Sequence, residues 1–170
     1  NIEPGQRIED WLHPEWANVR IAHNQEWYAA LGPAPLQPTP PLIATGPTSY
    51  TGHFTTGAAR IWGIGIMPLG WARLVDAPAA DYADRISDGA AEPVFAGFAP
   101  LLERTFGAQP DPAAEAARID AHLLELLDSR PPVPDEARIR AAHQVLIDEE
   151  ISSVGEFAAR LGISTRSLER

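Results

Sequence analysis

The last eighteen residues constrain the fold most, because their pattern requires two short helices separated by a turn. Ser153 and Glu156 have the Ser-x-x-Glu spacing of a capping box, in which each side chain binds a free amide at a helix start. Gly162 suits the left-handed conformation that ends a helix, and Ser164 is a good cap for a following one. The apolar residues between these signals recur at helical spacing, namely Val154, Phe157, Ala158 and Leu161.

The second of these helices is expected to cross the first, as in a helix-turn-helix. Ala158 leaves room where two helices cross steeply, and Leu168 would face back onto the first helix. This geometry places the second helix in the major groove of DNA. An ordinary helical hairpin shares part of the pattern, but the combination of cap, small residue and glycine favours the DNA-binding motif. The expected structural positions are Phe157, Ala158, Leu161, Gly162, Ile163 and Leu168.

The run Leu-Gly-Ile-Ser at residues 161–164, followed by Arg-Ser-Leu-Glu-Arg at 166–170, resembles the first of two such units in the AraC family of transcriptional regulators. A looser resemblance to sensor domains of that family covers residues 64–74. The resemblance implies a regulator whose sensor domain controls a C-terminal DNA-binding domain. It also implies that Ser164, Thr165, Arg166 and Arg170 contact DNA in the intact protein. The rest of the recognition helix and the second unit are missing from the sequence, so we expect an internal fragment with a truncated DNA-binding domain.

Prolines indicate where the chain divides. Residues 130–134 read Arg-Pro-Pro-Val-Pro, and three prolines in five residues form a stiff, extended linker. We therefore expect a sensor or effector domain at 1–130, a linker at 131–134, and the start of the DNA-binding domain at 135–170. Within the sensor domain we expect strands in 1–68 and helices in 69–130.

The expected fold class is α+β. Segments 19–23, 49–55 and 60–66 have the alternation and the β-branched or aromatic content of strands. Thr56-Gly57-Ala58 is a plausible hairpin loop between the last two. The family resemblance suggests a small β-rich sensor domain, with a cupin-like barrel as one form, followed by helices and the truncated helix-turn-helix.

Helix signals mark the second half of the sensor domain and the segment after the linker. Asp111-Pro112 and Asp135 are expected helix starts. His143 lies on an apolar helical face, and we expect it to be a hydrogen-bonded core residue. One helical face is predicted from Phe95, Phe98, Leu102 and Phe106.

Charge argues against strong DNA binding by this chain alone. The net charge is −10, and all 13 basic residues are arginine. Residues 134–170 carry five arginines against seven acidic residues. The mean field of such a protein does not attract nucleic acid, so we expect this fragment to bind DNA poorly.

A small-molecule effector pocket is expected in the N-terminal half, where all five tryptophans lie. Aromatic walls with a few polar anchors are typical of small-molecule sites. The alternative is that the tryptophans form the core of the domain. The candidate pocket residues are Arg20, Arg60, Trp62 and Trp71.

Catalytic and metal chemistry have little support in the sequence. There is no cysteine, and none of the five histidines has the spacing of paired metal ligands. Gly63-Ile64-Gly65 lacks the third glycine of a dinucleotide-binding loop, so a curved strand or close backbone approach is favoured. We expect no metal, no cofactor and no enzyme activity. The alternative function is a stand-alone small-molecule-binding or enzymatic β-barrel domain with a helical tail.

Location and assembly follow from similar observations. No apolar run approaches the ~20 residues that span a bilayer, so we expect no membrane association and a cytoplasmic location. The helical stretch 94–128 is where we would expect a homodimer interface, although its apolar face could equally cover the sheet. The remaining expected partners are DNA, through the complete C-terminal domain, and an unknown small-molecule effector.

Overall fold

The computed structural model of the protein describes residues 1–23, 26–75, 77–148 and 150–168. The chain divides into two compact units, residues 1–131 and residues 132–170. Among the described residues, no helix is both long enough and apolar enough to cross a membrane.

Unit 1 contains two antiparallel sheets of four strands each. The strands are β1 (Ile8–Leu12), β2 (Ala17–His23), β3 (Trp27–Leu31), β4 (Gln37–Pro38), β5 (Leu42–Thr45), β6 (Gly52–Thr56), β7 (Arg60–Ile66) and β8 (Ile86–Asp88). The cover sheet has the order β1-β6-β3-β4, and the central sheet has the order β7-β2-β5-β8. Together with the helices of the chain, these two sheets confirm the α+β class.

The helices of unit 1 follow the strands, apart from β8. They are α1 (Pro68–Leu74), α2 (Leu101–Arg104) and α3 (Pro112–Asp128), with short 3-10 helices at Ala79–Tyr82 and Pro93–Phe98. Asp111 caps α3 as predicted, because its carboxylate accepts a hydrogen bond from the amide of Ala114 at 3.0 Å.

Alternation along β2 explains the layer order of unit 1. Ala17, Val19 and Ile21 are buried in the main core, together with residues of the helices. Ala22, on the opposite face, packs in a smaller cluster with Trp27 of β3, so the central sheet lies between the helices and the cover sheet. The same alternation places Asn18 and Arg20 on the side of β2 that faces the cover sheet.

The predicted hairpin between β6 and β7 is wrong, because the two strands belong to different sheets. β6 pairs with β1 and β3, while β7 pairs with β2 along seven residues, from Ala17 opposite Ile66 to His23 opposite Arg60. Residues 57–59 therefore carry the chain from one sheet to the other. Non-local pairing with the buried strand β2 determines this choice, and a local loop pattern does not contain that information.

The prediction of an all-helical segment from residue 69 onward is also wrong. β8 lies within that segment and pairs with β5, with Ser87 opposite Ala44. The single helical face predicted from Phe95 to Phe106 is divided between a 3-10 helix and α2, with Pro100 before the first residue of α2. Phe95 and Phe98 are nevertheless fully buried, as core residues of the domain.

The secondary-structure elements in the described part of unit 2 are all helices. Its elements are α4 (Glu136–Leu146), α5 (Val154–Leu161) and α6 (Thr165–Leu168). Asp135 precedes α4 as predicted, but its carboxylate accepts from the guanidinium of Arg138 at 2.7 Å and makes no capping bond. The prediction that His143 is a core residue is wrong. It is half-buried, and α4 has no buried residue, because unit 2 is too small to enclose it.

Candidate functional site

An open groove of about 670 Å³ runs along β2 and β7. The segments 14–16 and 47–48 form its walls. Only two of the described residues that line it are charged, and these are Glu15 and Arg20. The groove is therefore a small-molecule-sized cleft with one positive and one negative side chain.

The side chains of Glu15 and Arg20 form an ion pair, and both also form hydrogen bonds with the neutral side chain of Asn18. Arg20 donates to both carboxylate oxygens of Glu15, at 2.9 and 2.6 Å. Arg20 also donates to the amide oxygen of Asn18, whose amide nitrogen donates to Glu15 at 3.2 Å. The side chains of Arg20 and Glu15 are 17% and 35% exposed, so both remain accessible from the groove.

Glycines on β7 keep the groove open. A Cβ atom at Gly63 would lie 3.9 Å from the Cγ of Arg20, and one at Gly65 would meet nothing within 4 Å. Neither glycine has a positive φ, so other residues could adopt its backbone conformation. A side chain at Gly63 would make only ordinary van der Waals contact with the arginine stem, so the structure does not show the close backbone approach that the sequence suggested there. At Gly65 the missing side chain leaves free space.

A second, smaller cavity of about 40 Å³ lies between the two sheets. Its apolar lining includes Trp27, Ile43 and Phe54, and it shares Glu15 and Arg20 with the groove. The ion pair therefore borders both spaces. The indole N–H of Trp27 is buried and has no hydrogen-bond acceptor among the described residues.

The four predicted pocket residues do not come together in one pocket. Arg20 lines the groove, but Arg60 and Trp62 bind Glu115 of α3 instead. Trp71 is buried in the main core, where its indole N–H donates to the carbonyl of Ala77 at 2.8 Å. For Trp71 the structure supports the alternative prediction, in which the tryptophans form the core of the domain.

Glu115 of α3 binds two residues of β7, Arg60 and Trp62, and these contacts link the helix to the strand. Arg60 forms an ion pair with Glu115 and donates to the carbonyl of Gly107 at 2.8 Å, and Trp62 donates to Glu115 at 2.7 Å. Burial raises the pKa of Glu115, but the hydrogen bonds from Trp62, Arg60 and the Asp111 amide outweigh it. The pKa of Glu115 therefore lies below its ordinary value. This carboxylate is ionised and structural at neutral pH.

Sequence reasoning missed Glu15, Asn18 and the role of Gly65. The spacing of Asn18 and Arg20 within a strand pattern would have indicated that their side chains share a face. Glu15 lies before β2 in an irregular segment, where no periodicity indicates its direction.

The histidines do not converge on a metal site. His23 lies on the central sheet and His53 on the cover sheet. His53 stacks on Trp11 with ring centroids 4.6 Å apart, and its Nε2 lies 2.9 Å from a carboxylate oxygen of Glu9. Within the described ranges, no group of three or more histidine, cysteine, aspartate or glutamate side chains is arranged to hold a metal ion.

The start of α5 differs slightly from a capping box. The hydroxyl of Ser153 accepts from the amide of Glu156 at 3.2 Å, as predicted. The carboxylate of Glu156, however, accepts from the amide of Ser152 at 2.9 Å and from its hydroxyl at 3.0 Å. These bonds from Ser152 lower the pKa of Glu156. The helix therefore starts where it was predicted, with Ser153 as its cap, and only the amide that Glu156 binds lies one residue earlier than expected.

The end of α5 is a Schellman motif around Gly162. Gly162 is left-handed with a φ of 67°, and its amide donates to the carbonyl of Ala159 at 3.1 Å. The amide of Ile163 donates to the carbonyl of Ala158 at 3.0 Å. Ala158 is buried, while Phe157, Leu161, Ile163 and Leu168 are half-buried.

Three of the four residues expected to contact DNA lie at or next to the start of α6. Ser164 precedes the helix and accepts from the amide of Ser167 at 3.2 Å. Thr165 and Arg166 are exposed on its first turn. Arg170 lies outside the described residues.

No protein-family model matches the chain, and no curated protein or solved structure matches it either.

Proposed function

We propose that the chain comprises the sensor domain and the start of the DNA-binding domain of an AraC-type transcriptional regulator. The observation that carries this proposal is the pair α5 and α6, joined through the left-handed Gly162, with Ala158 of α5 buried. Two short helices with a glycine turn are the framework of a helix-turn-helix, with α6 as the start of the recognition helix.

Unit 1 would be the sensor, a cupin-like barrel formed from its two sheets. Its groove supports this role, because a cleft of about 670 Å³ with a few polar groups suits a small-molecule effector. Effector binding would regulate transcription only if the two functional states of the protein differ in effector affinity. A homodimer and a cytoplasmic location are part of the same proposal.

DNA binding in this proposal needs more chain than residues 1–170. Unit 2 has more acidic than basic residues, and the described part of α6 covers only the four residues Thr165–Leu168. A recognition helix of ordinary length and a second helix-turn-helix would have to follow. Extending the reading frame beyond residue 170 tests this requirement directly. A stop codon without a second helix-turn-helix would contradict the regulator proposal.

A binding experiment on the full-length protein tests the same proposal at residue level. Arg166→Ala should weaken binding to the regulated promoter by about tenfold or more, since a base or phosphate contact by arginine contributes about 1–3 kcal/mol. Arg138→Ala is the matched control, because Arg138 is an exposed helical arginine already paired with Asp135. Equal promoter affinities of the two variants, measured by mobility shift at fixed salt, would count against α6 as a recognition helix.

A second candidate function is a stand-alone small-molecule-binding protein with a helical tail. The groove of unit 1 supports it, because the groove needs no DNA-binding domain in order to bind a ligand. This function predicts ligand binding by a protein that has no affinity for promoter DNA.

A further inference from the structure

The groove has an unusual charge arrangement for a small-molecule site. Its two charged side chains, Arg20 and Glu15, have opposite signs and touch each other. A ligand with a single negative charge would compete with Glu15 for the arginine and then face that carboxylate. A ligand with a single positive charge would face the arginine in the same way. Only a ligand with both charges can bind both side chains without leaving one of them unpaired.

A zwitterion that separates this ion pair replaces it with two new ion pairs, so neither charge is left unpaired. The carboxylate side chain of Glu15 is 35% exposed, which makes it accessible to such a ligand. Asn18 lies between the two and can both donate and accept, so it can bind either charge of an inserted ligand. The buried pair of Arg60 and Glu115 contrasts with it, because there the carboxylate side chain is only 3% exposed.

Apart from Asn18 and Thr48, the rest of the groove lining is apolar, and part of it is exposed. Trp16 is 37% exposed and Met67 is 47% exposed, and both line the groove with Pro47. The missing side chain at Gly65 leaves space beside them. A hydrocarbon group placed there would bury this apolar surface, which favours binding.

We propose that the groove binds a free α-amino acid with an apolar side chain, a conclusion that rests on the proposed role of the groove as the effector site. The ligand carboxylate pairs with Arg20, its ammonium group pairs with Glu15, and its side chain lies along Trp16 and Met67. The net charge of −10 agrees with this choice, because the field of an acidic protein repels a simple anion but has no net effect on a zwitterion.

Calorimetry on the chain tests the proposal with defined probes. These are L-leucine, L-methionine, L-phenylalanine and L-tryptophan, each with its N-acetyl and its carboxamide derivative. We expect at least one free amino acid to bind, and we expect each derivative to bind about tenfold or more weakly, because each lacks one charge. If none of the four binds, or if the N-acetyl compound binds as well as the free amino acid, the proposal fails.

Two variants assign the two charges separately. Arg20→Gln removes the partner of the ligand carboxylate, so the free amino acid and its carboxamide should bind this variant equally weakly. Glu15→Gln removes the partner of the ligand ammonium group, so the free amino acid and its N-acetyl derivative should bind that variant equally weakly. Arg85→Gln is the control, since Arg85 pairs with Glu92 and does not line the groove. It should retain wild-type discrimination. Discrimination that is unchanged in Arg20→Gln and Glu15→Gln would overturn the assignment.

A third variant tests the location without altering charge. Gly65→Val adds a side chain where nothing lies within 4 Å, so the fold should melt at the wild-type temperature while amino-acid binding is lost. Binding that survives in a folded Gly65→Val protein would place the ligand elsewhere and refute the proposal. Promoter binding by the full-length protein distinguishes a failure of the amino-acid site from a failure of the regulator proposal. DNA binding without amino-acid binding overturns only this inference, and amino-acid binding without DNA binding overturns only the regulator.

Discussion

The buried carboxylate of Glu115 offers the sharpest test of how unit 1 is held together. One of its oxygens binds the guanidinium of Arg60 and the other binds the indole N–H of Trp62. Glu115→Gln preserves the size of the side chain but leaves one acceptor oxygen for two buried donors. Either the arginine or the tryptophan must then face an NH₂ group.

The expected cost follows from the burial of the pair. Removing one partner of a buried ion pair destabilises a protein by about 3–5 kcal/mol. We expect the lower end, about 3 kcal/mol, because glutamine still accepts one hydrogen bond and Arg60 keeps its bond to the Gly107 carbonyl. Glu125→Gln is the matched control on the same helix. Its side chain is 70% exposed, so the change should cost about 0–1 kcal/mol.

Urea unfolding followed by tryptophan fluorescence measures both variants. The difference between wild type and Glu115→Gln should also depend on pH in a defined direction. The folded-state pKa of Glu115 lies below its ordinary value of 4.5, so its stabilisation is complete above that value. It is then lost as the pH falls through the folded-state pKa. If Glu115→Gln and Glu125→Gln unfold at the same urea concentration at pH 7, the reasoning is refuted.

Two further pairs of substitutions test other features. Trp71→Phe should destabilise unit 1 by about 1 kcal/mol more than Trp27→Phe in thermal unfolding, because only Trp71 loses a hydrogen bond. The two residues are equally buried, so equal losses would argue against this account. In unit 2, Gly162→Ala should cost about 1 kcal/mol, because its φ is positive, whereas Gly155→Ala should stabilise α5 by about 0.5 kcal/mol. Helical circular dichroism measures both, and changes of the same sign would contradict the left-handed turn.

Local signals in the sequence predicted the features that depend on a few adjacent residues. The cap at Asp111 and the end of α5 at Gly162 are of this kind, because the free backbone groups of a helix end are satisfied within one turn. The same reasoning was wrong about the side chain of Asp135, which binds Arg138 instead of an amide. A nearby arginine can compete with the backbone for the carboxylate.

Features that depend on distant parts of the chain were not predictable in this way. The partner of Arg60 is Glu115, 55 residues away, and only the packing of α3 on β7 brings them together. Similarly, the crossing of residues 57–59 between the sheets depends on which strand pairs with β2. The four predicted pocket residues were chosen by residue type, which does not distinguish the groove position of Arg20 from the core position of Trp71.

Two neighbouring strands contribute different properties to the groove. In the proposed ligand site, Arg20 on β2 provides charge, while Gly65 on β7 determines how much room the ligand has. Neither residue belongs to the main core, so each can mutate without disturbing the packing of the helices. Descendants of this chain could therefore acquire larger, smaller or differently charged ligands through single substitutions, and selection could act on size and charge independently.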